Sequence, residues 1–210
     1  MKKHFWKIEY SITLFCILAV IILFIPMHIE TYLQASMIKL WKDRYNKTTY
    51  IFNVINAQTS EEIIDGFETL DTTQQETFVI NLIKPYMRLE SMNKIPWKYR
   101  PKYLNGSRVS KKDDLYFNEL YLSEKQRIIG IKNISDAKNK AWFAMMFDIN
   151  GLLPPNVWGK DIFGIYIYDK GIIKPFGYDL TLEEVKKDCS RQGKGLSCRS
   201  EERRVGKECR

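Results

Sequence analysis

An apolar run near the N-terminus constrains this chain more than any other feature of its sequence. Residues 12–29 read ITLFCILAVIILFIPMHI and contain no Asp, Glu, Lys or Arg. This length suits a helix that crosses a hydrocarbon core of about 30 Å, which takes roughly 20 residues. Lys2, Lys3 and Lys7 precede the run, and such basic residues stay on the cytoplasmic side. We therefore predict that this run lies in a single membrane-spanning helix, assigned to residues 5–29, with a cytoplasmic N-terminus and the bulk of the chain exported.

The helical pattern continues beyond the apolar run. Apolar residues recur three or four positions apart from Leu33 to Ile55, with Lys and Asp mostly between them. This spacing is typical of an amphipathic helix that packs against another layer. We expect residues 30–58 to form the exported half of one long helix that lies on a sheet.

The head domain is predicted over residues 59–198 and opens with helices. Ser60 and Asp71 are candidate N-cap residues, each followed by acidic or amide side chains in the first turn. The expected apolar face of the second helix consists of Phe78, Leu82 and Tyr86. The head therefore begins with helical layers before any strand pattern appears.

Strand patterns dominate the rest of the head. Runs rich in β-branched and aromatic residues predict strands at 115–122, 127–131, 142–149, 161–168 and 172–178. Asp169-Lys170-Gly171 is a short hairpin turn between the last two. The predicted fold class is α+β, with the long N-terminal helix, membrane-spanning in its first half, packed on a small antiparallel sheet.

A basic stretch lies between the helices and the strands. Residues 94–112, KIPWKYRPKYLNGSRVSKK, contain seven Lys or Arg and no acid, interleaved with aromatic residues. Such a pattern suits phosphate contacts together with base stacking. One interpretation is nucleic-acid or other polyanion binding by Lys98, Arg100 and Lys102, and the alternative is a solvated loop.

A loop rich in Asp and Asn joins two predicted strands. Residues 147–164 read FDINGLLPPNVWGKDIFG, and the D-x-N-G start is similar to that of a calcium-binding loop. Asp148, Asn150 and Asp161 are the candidate ligands, although an EF-hand would have Glu where Gly159 stands. The alternative is a structural loop closed by Asx turns. No other cofactor is predicted.

The N-terminal spacing resembles that of type IV pilins and type II secretion pseudopilins. Phe5, Glu9 and Pro26 fall where that family has the first mature residue, a glutamate at the fifth residue and a helix-kinking proline. The resemblance implies a non-enzymatic filament subunit whose Glu9 sets register with other subunits on an inner-membrane assembly platform. His4 occupies the position of the leader glycine. This leaves two alternatives, cleavage before Phe5 by a prepilin peptidase or a retained leader of residues 1–4.

The resemblance also bears on the C-terminal cysteines. Pilins often close a C-terminal loop with a disulfide. Cys189 and Cys198 lie in a domain that is predicted to be exported, and the compartment outside the membrane favours their oxidation. The alternatives are two unrelated thiols or a partner missing from the chain. The FDINGLLPPNVWGKDIFG stretch likewise resembles the C-terminal half of pilin-like secretion proteins.

The last twelve residues differ in character from the rest. Residues 199–210, RSEERRVGKECR, correspond residue for residue to an in-frame translation of a common sequencing adapter, and we expect them to be an artefact. They contribute +2 of the formal net charge of +8 and one of the four cysteines. The predicted fold therefore excludes them.

Catalytic patterns are scarce in this sequence. Both histidines, His4 and His28, lie in the N-terminal segment, so a His-dependent active site in the head is not expected. Phosphate-binding glycine loops, HExxH and CxxC motifs are absent from the sequence. Two alternatives to a filament subunit stay open, an anchored envelope enzyme that uses carboxylates and an anchored polyanion-binding module.

Overall fold

The fold is that of a computed structural model of the chain. It describes residues 2–58, 70–124, 127–134, 141–168 and 171–198, with side chains in the first range described at 10–21, 29 and 32–58. The predicted helix start at Ser60 and the adapter-like tail lie outside the described residues. The chain divides into two compact units, Met1–Leu40 and Trp41–Arg210, and each is described by itself.

The described residues of the first unit, Met1–Leu40, are helical. Helix α1 is assigned to Lys2–Gln58. The side chains of Phe5, Glu9 and Pro26 lie outside the described residues, so the predictions for them stay predictions. Among the described side chains, large apolar ones such as Phe15 are exposed. Within the described part of the chain, no helix is at once long enough and apolar enough to cross a membrane.

In the second unit, the end of α1 packs on a sheet through one apolar face. The buried apolar residues of this segment are Trp41, Tyr45, Ile51, Phe52 and Ile55. The Trp41 ring lies 5.1 Å from that of Phe163 and 6.1 Å from that of Phe147 between centroids. Tyr45 Oη donates to Ile173 O at 3.0 Å. The amphipathic pattern predicted for residues 30–58 is therefore confirmed from Trp41 onward.

Helix α2, Thr72–Met87, begins with a complete capping box. Asp71 accepts a hydrogen bond from Gln74 N, and Gln74 Oε1 accepts one from Asp71 N. The predicted apolar face was wrong, because Tyr86 is exposed and Phe78 and Leu82 are only half-buried. The buried residues are Gln75, Val79, Ile80, Ile83 and Met87. Four of these residues, at positions 75, 79, 83 and 87, recur every four residues and therefore lie on one side of the helix.

A six-stranded antiparallel sheet forms the centre of the head. Its strands are β1 Glu90–Ser91, β2 Leu120–Ser123, β3 Arg127–Asn133, β4 Phe143–Asp148, β5 Ile162–Ile167 and β6 Ile173–Pro175. Each strand pairs with its neighbour in sequence, in the order β1 to β6. The α+β class and the antiparallel sheet are confirmed. Residues 115–119 were wrongly predicted as strand, because turns such as Tyr116 N to Asp113 O occupy them.

The sheet has apolar layers on both faces. Every residue of β4 is buried, and its side chains alternate between the two faces. Phe147 faces Trp41, whereas Ala144 and Met146 join a second core cluster with Trp158.

Close approach to the sheet depends on glycine at two positions. A Cβ at Gly164 would lie 2.3 Å from the ring of Phe176, and one at Gly130 would lie 2.9 Å from the ring of Phe117. Both rings belong to the second core cluster. A short helix, α3 Leu182–Asp188, follows the sheet and buries Val185.

Candidate functional site

Three segments that the sequence singled out meet on one side of the head. Backbone hydrogen bonds join Lys102 N to Asn156 O at 3.0 Å and Trp158 N to Lys102 O at 2.9 Å. Leu104 N donates to Lys194 O at 3.0 Å. We call this surface the loop face and define it as residues 94–112, 149–161 and 188–198. No local sequence pattern indicates that these segments touch, since the hydrogen bonds between them join residues far apart in the chain.

Asp161 closes the turn that opens β5. Its side chain is buried, and its Oδ2 accepts from Asn156 N at 2.8 Å while its Oδ1 accepts from Val157 N at 2.6 Å. Burial raises the pKa of Asp161, and these backbone N–H groups oppose the shift. Both oxygens therefore hold the loop together.

Asp148 ends β4 and is fully buried. Burial, followed by the charge of Asp161, raises the pKa of Asp148 to about 8. With its amide oriented to satisfy its hydrogen bonds, Asn156 Nδ2 donates to Asp148 Oδ2 at 3.0 Å. A carboxyl with this pKa is mostly protonated at neutral pH.

Three buried oxygen atoms around this pair lack partners. Asp148 Oδ1, Asn150 Oδ1 and Tyr99 Oη complete no hydrogen bond of acceptable geometry with any described residue. Burial raises the pKa of the Tyr99 hydroxyl. The charge of Asp148, which lies close to this hydroxyl, raises the pKa further. Sequence reasoning assigned Tyr99 to the basic stretch and missed that it lies beside the buried carboxyl.

The donor set can be compared with the needs of calcium. Ca²⁺ takes about six to eight oxygen ligands, and the unpartnered carboxyl and amide oxygens here are those of Asp148 and Asn150. The Asp161 oxygens already accept backbone N–H groups. The geometry fits a hydrogen-bonded structural loop more closely than a preformed metal site. Calcium binding by these three residues stays a prediction.

The predicted disulfide between Cys189 and Cys198 is confirmed, with the two Cα atoms 5.1 Å apart. Asp188, which sequence reasoning missed, accepts from Ser197 N at 2.8 Å and from Lys194 N at 3.1 Å. The two sulfurs lie close to the Asp188 carboxylate, but a disulfide offers no thiolate to a metal. This cluster is structural.

The predicted polyanion residues lie on the exterior of the loop face. Lys98, Arg100 and Lys102 are all exposed. Trp97 is 75% exposed, and Lys98 Nζ lies 5.6 Å from its ring centroid. Tyr99, like Tyr103 in the same stretch, is a core residue. One aromatic ring of this stretch, that of Trp97, is therefore available for stacking.

The chain was compared with protein families, curated proteins and solved structures. The chain matches no protein-family model, no curated protein and no solved structure.

Proposed function

We propose that this chain is a pilin-like or pseudopilin-like structural subunit of a type II secretion or type IV pilus-type filament, anchored in the bacterial inner membrane. The observation that carries the proposal is the N-terminal pattern. Lys2 and Lys3 precede Phe5, Glu9 follows four residues later, and the charge-free run of residues 12–29 contains a proline. An acid this close to a long apolar helix is costly in lipid unless a partner neutralises it.

The packing of the second unit supports this proposal. From Trp41 to Ile55 one face of α1 is buried against an antiparallel sheet, which is the arrangement that the resemblance implies for a pilin head. The disulfide-closed loop after the last strand also agrees with the resemblance.

The proposed chemistry is assembly. The apolar N-terminal helix packs against the helices of other subunits, and Glu9 pairs with a positive group of a neighbour, which fixes the register of the filament. Desolvation makes an unpaired carboxylate expensive, so subunits that pair correctly are favoured over those that slip.

An assembly assay with an alanine variant tests the role of Glu9. We expect Glu9→Ala to remain in the membrane fraction but to be absent from sheared filaments. Glu30→Ala, which removes the other Glu of α1, is the matched control and is expected to assemble normally. Normal incorporation of Glu9→Ala contradicts the proposal.

Mass spectrometry of the N-terminus decides between the two fates of the leader. A mature chain that begins at Phe5 indicates cleavage by a prepilin peptidase despite His4. A chain that begins at Met1 indicates an uncleaved anchor, in which no free amine forms at Phe5. Assembly that needs this amine as the partner of Glu9 is then excluded.

Polyanion binding is a second candidate, favoured by the exposed Trp97 beside Lys98. We expect Lys98→Gln/Arg100→Gln/Lys102→Gln to weaken binding to single-stranded DNA and to lower the slope of log K against log salt by about 0.7 for each phosphate that the variant no longer neutralises. Lys186→Gln/Lys187→Gln/Arg191→Gln removes the same charge outside residues 94–112 and is expected to leave the slope unchanged. Equal slopes for the two triple variants contradict this function.

A further inference from the structure

A cavity of about 310 Å³ lies beside the basic stretch of the loop face. Its wall includes Val109, Leu115, Phe117, Trp158, Arg100 and Arg108. Ligand sites commonly start at about this size and combine an apolar lining with a few polar groups. Neither Asp148 nor Asp161 lines the cavity, so it is separate from the buried carboxyl pair.

The charge and the apolar surface of this cavity are segregated. Phe117 and Trp158 are buried, whereas Arg100 and Arg108 are exposed. The cavity therefore has an apolar interior and a cationic, solvent-facing side.

Both arginines are available to a ligand. Arg100 Nε donates to Trp97 O at 3.1 Å, which holds that side chain in place. Over the described ranges, neither Arg100 nor Arg108 forms an ion pair with a carboxylate. Residues 94–112 contain no acid. A planar guanidinium matches carboxylate and phosphate oxygens, so an anion is the complementary ligand.

The wall also holds a buried tyrosine. Tyr99 lines the cavity and is 6% exposed, but its hydroxyl lies beside the Asp148 carboxyl, so the polar groups that face a ligand are the two arginines. The remaining buried wall is formed largely by apolar side chains, among them Phe117, Leu120 and Met146. An alkyl or simple aromatic body fits this lining better than a heterocycle does.

We propose that this cavity binds a small amphiphilic anion, whose apolar body fills the interior and whose carboxylate or phosphate pairs with Arg100 and Arg108. A cavity of this volume takes a body of small-molecule size. The ligand is a free amphiphile or a membrane lipid, since both carry this chemistry. The site is independent of filament assembly and of Glu9.

Photolabelling tests this inference. The full chain in phosphatidylcholine nanodiscs is irradiated with a diazirine derivative of decanoate, and labelled residues are mapped by mass spectrometry. We expect labels on Val109, Leu115 or Phe117. Decanoate and decyl phosphate are expected to suppress them, and decyltrimethylammonium, inorganic phosphate and adenosine monophosphate are not. Labels confined to other residues, or equal suppression by inorganic phosphate or the nucleotide, overturn the proposal.

Variants separate the two halves of the site. Arg100→Gln/Arg108→Gln is expected to weaken decanoate binding by about tenfold for each arginine, and Val109→Phe is expected to reduce labelling by filling the interior. Arg191→Gln, an exposed arginine on another segment of the loop face, is the matched control. If Val109→Phe fails to fold, the arginine variants alone decide, and labelling unchanged in them overturns the proposal.

A second nanodisc of different lipid composition distinguishes a membrane lipid from a free amphiphile as the source of the ligand. If phosphatidylglycerol in place of phosphatidylcholine suppresses the labels, the anion is a membrane lipid. If labelling persists, it is a free amphiphile. Both results support the site, and neither depends on whether Glu9→Ala assembles.

Discussion

Asp148 shows how one residue can set the response of this head to pH. The side chain is fully buried, and burial together with Asp161 raises its pKa to about 8, against about 3.9 for an unperturbed Asp. Between these two values the folded state holds a proton that the unfolded state has released. Stability therefore falls as pH rises from about 4 to about 8, by at most about 1.4 kcal/mol per pH unit for this group.

Replacing Asp148 by Asn should remove this dependence. We expect Asp148→Asn to flatten the fall in unfolding free energy between pH 4 and pH 8 and to be more stable than the parent at pH 8, because the amide cannot ionise. Urea denaturation across this range is the measurement. Asp114→Asn, at an exposed position in the same head, is the control and is expected to keep the parent slope. A parent slope in Asp148→Asn contradicts this assignment.

At the scale of single residues, the sequence singled out the polar residues of this loop but did not show that its two carboxyl groups are buried. The D-x-N-G pattern singled out Asp148, Asn150 and Asp161 from the chain alone. Tyr99, which lies beside Asp148, belongs to a segment about fifty residues earlier that no local pattern connects to the loop. The sequence therefore could not distinguish exposed metal ligands from a buried carboxyl pair.

At the scale of elements, the end of α1 contributes five buried apolar residues to the core. Tyr45 and Tyr50 lie on the same helix, but Tyr45 is 3% exposed whereas Tyr50 is 69% exposed. We expect Tyr45→Ala to lower the unfolding free energy by about 3–5 kcal/mol, as other buried aromatic truncations do. Tyr50→Ala is the matched control, with an expected change within about 0.5 kcal/mol. Equal effects in thermal denaturation contradict this packing.

Elements with a repeating pattern were predicted well, and the others were not. Strands β3 to β6 fall close to their predicted positions because each has a run of β-branched or aromatic residues. Strand β1 is Glu90–Ser91, two exposed polar residues without any periodic signal, and it was missed. Residues 115–119 have strand-like composition, but Phe117 instead inserts against Gly130. That contact is tertiary and overrides local propensity.

At the scale of the whole head, the loop face couples segments that are distant in sequence. The disulfide loop contacts the basic stretch through Leu104 and lies against Gly159, where a Cβ would be 2.8 Å from Cys198 Sγ. A change in residues 188–198 should therefore alter the stability of residues 94–112.

Removing the disulfide tests this coupling. We expect Cys189→Ala/Cys198→Ala to lower stability by about 2–3 kcal/mol in the chain-entropy model and to speed amide exchange at Leu104 as well as at Gly195. Cys16→Ala, which removes the free cysteine of the described part of the chain, is the control and should change neither. Faster exchange confined to residues 188–198 shows that the segments are independent.

The order of the strands has a consequence for how the head acquires its structure. Every pairing in the sheet joins consecutive strands, and from β2 to β6 the connections range from 3 residues, between β2 and β3, to 13 residues, between β4 and β5. Closing short loops costs little entropy, and proteins rich in local pairings fold quickly. The sheet can grow at one edge, strand by strand, in the order of synthesis. In a chain that is synthesised from its N-terminus, the helices α1 and α2 are therefore complete before the sheet that packs on them has formed.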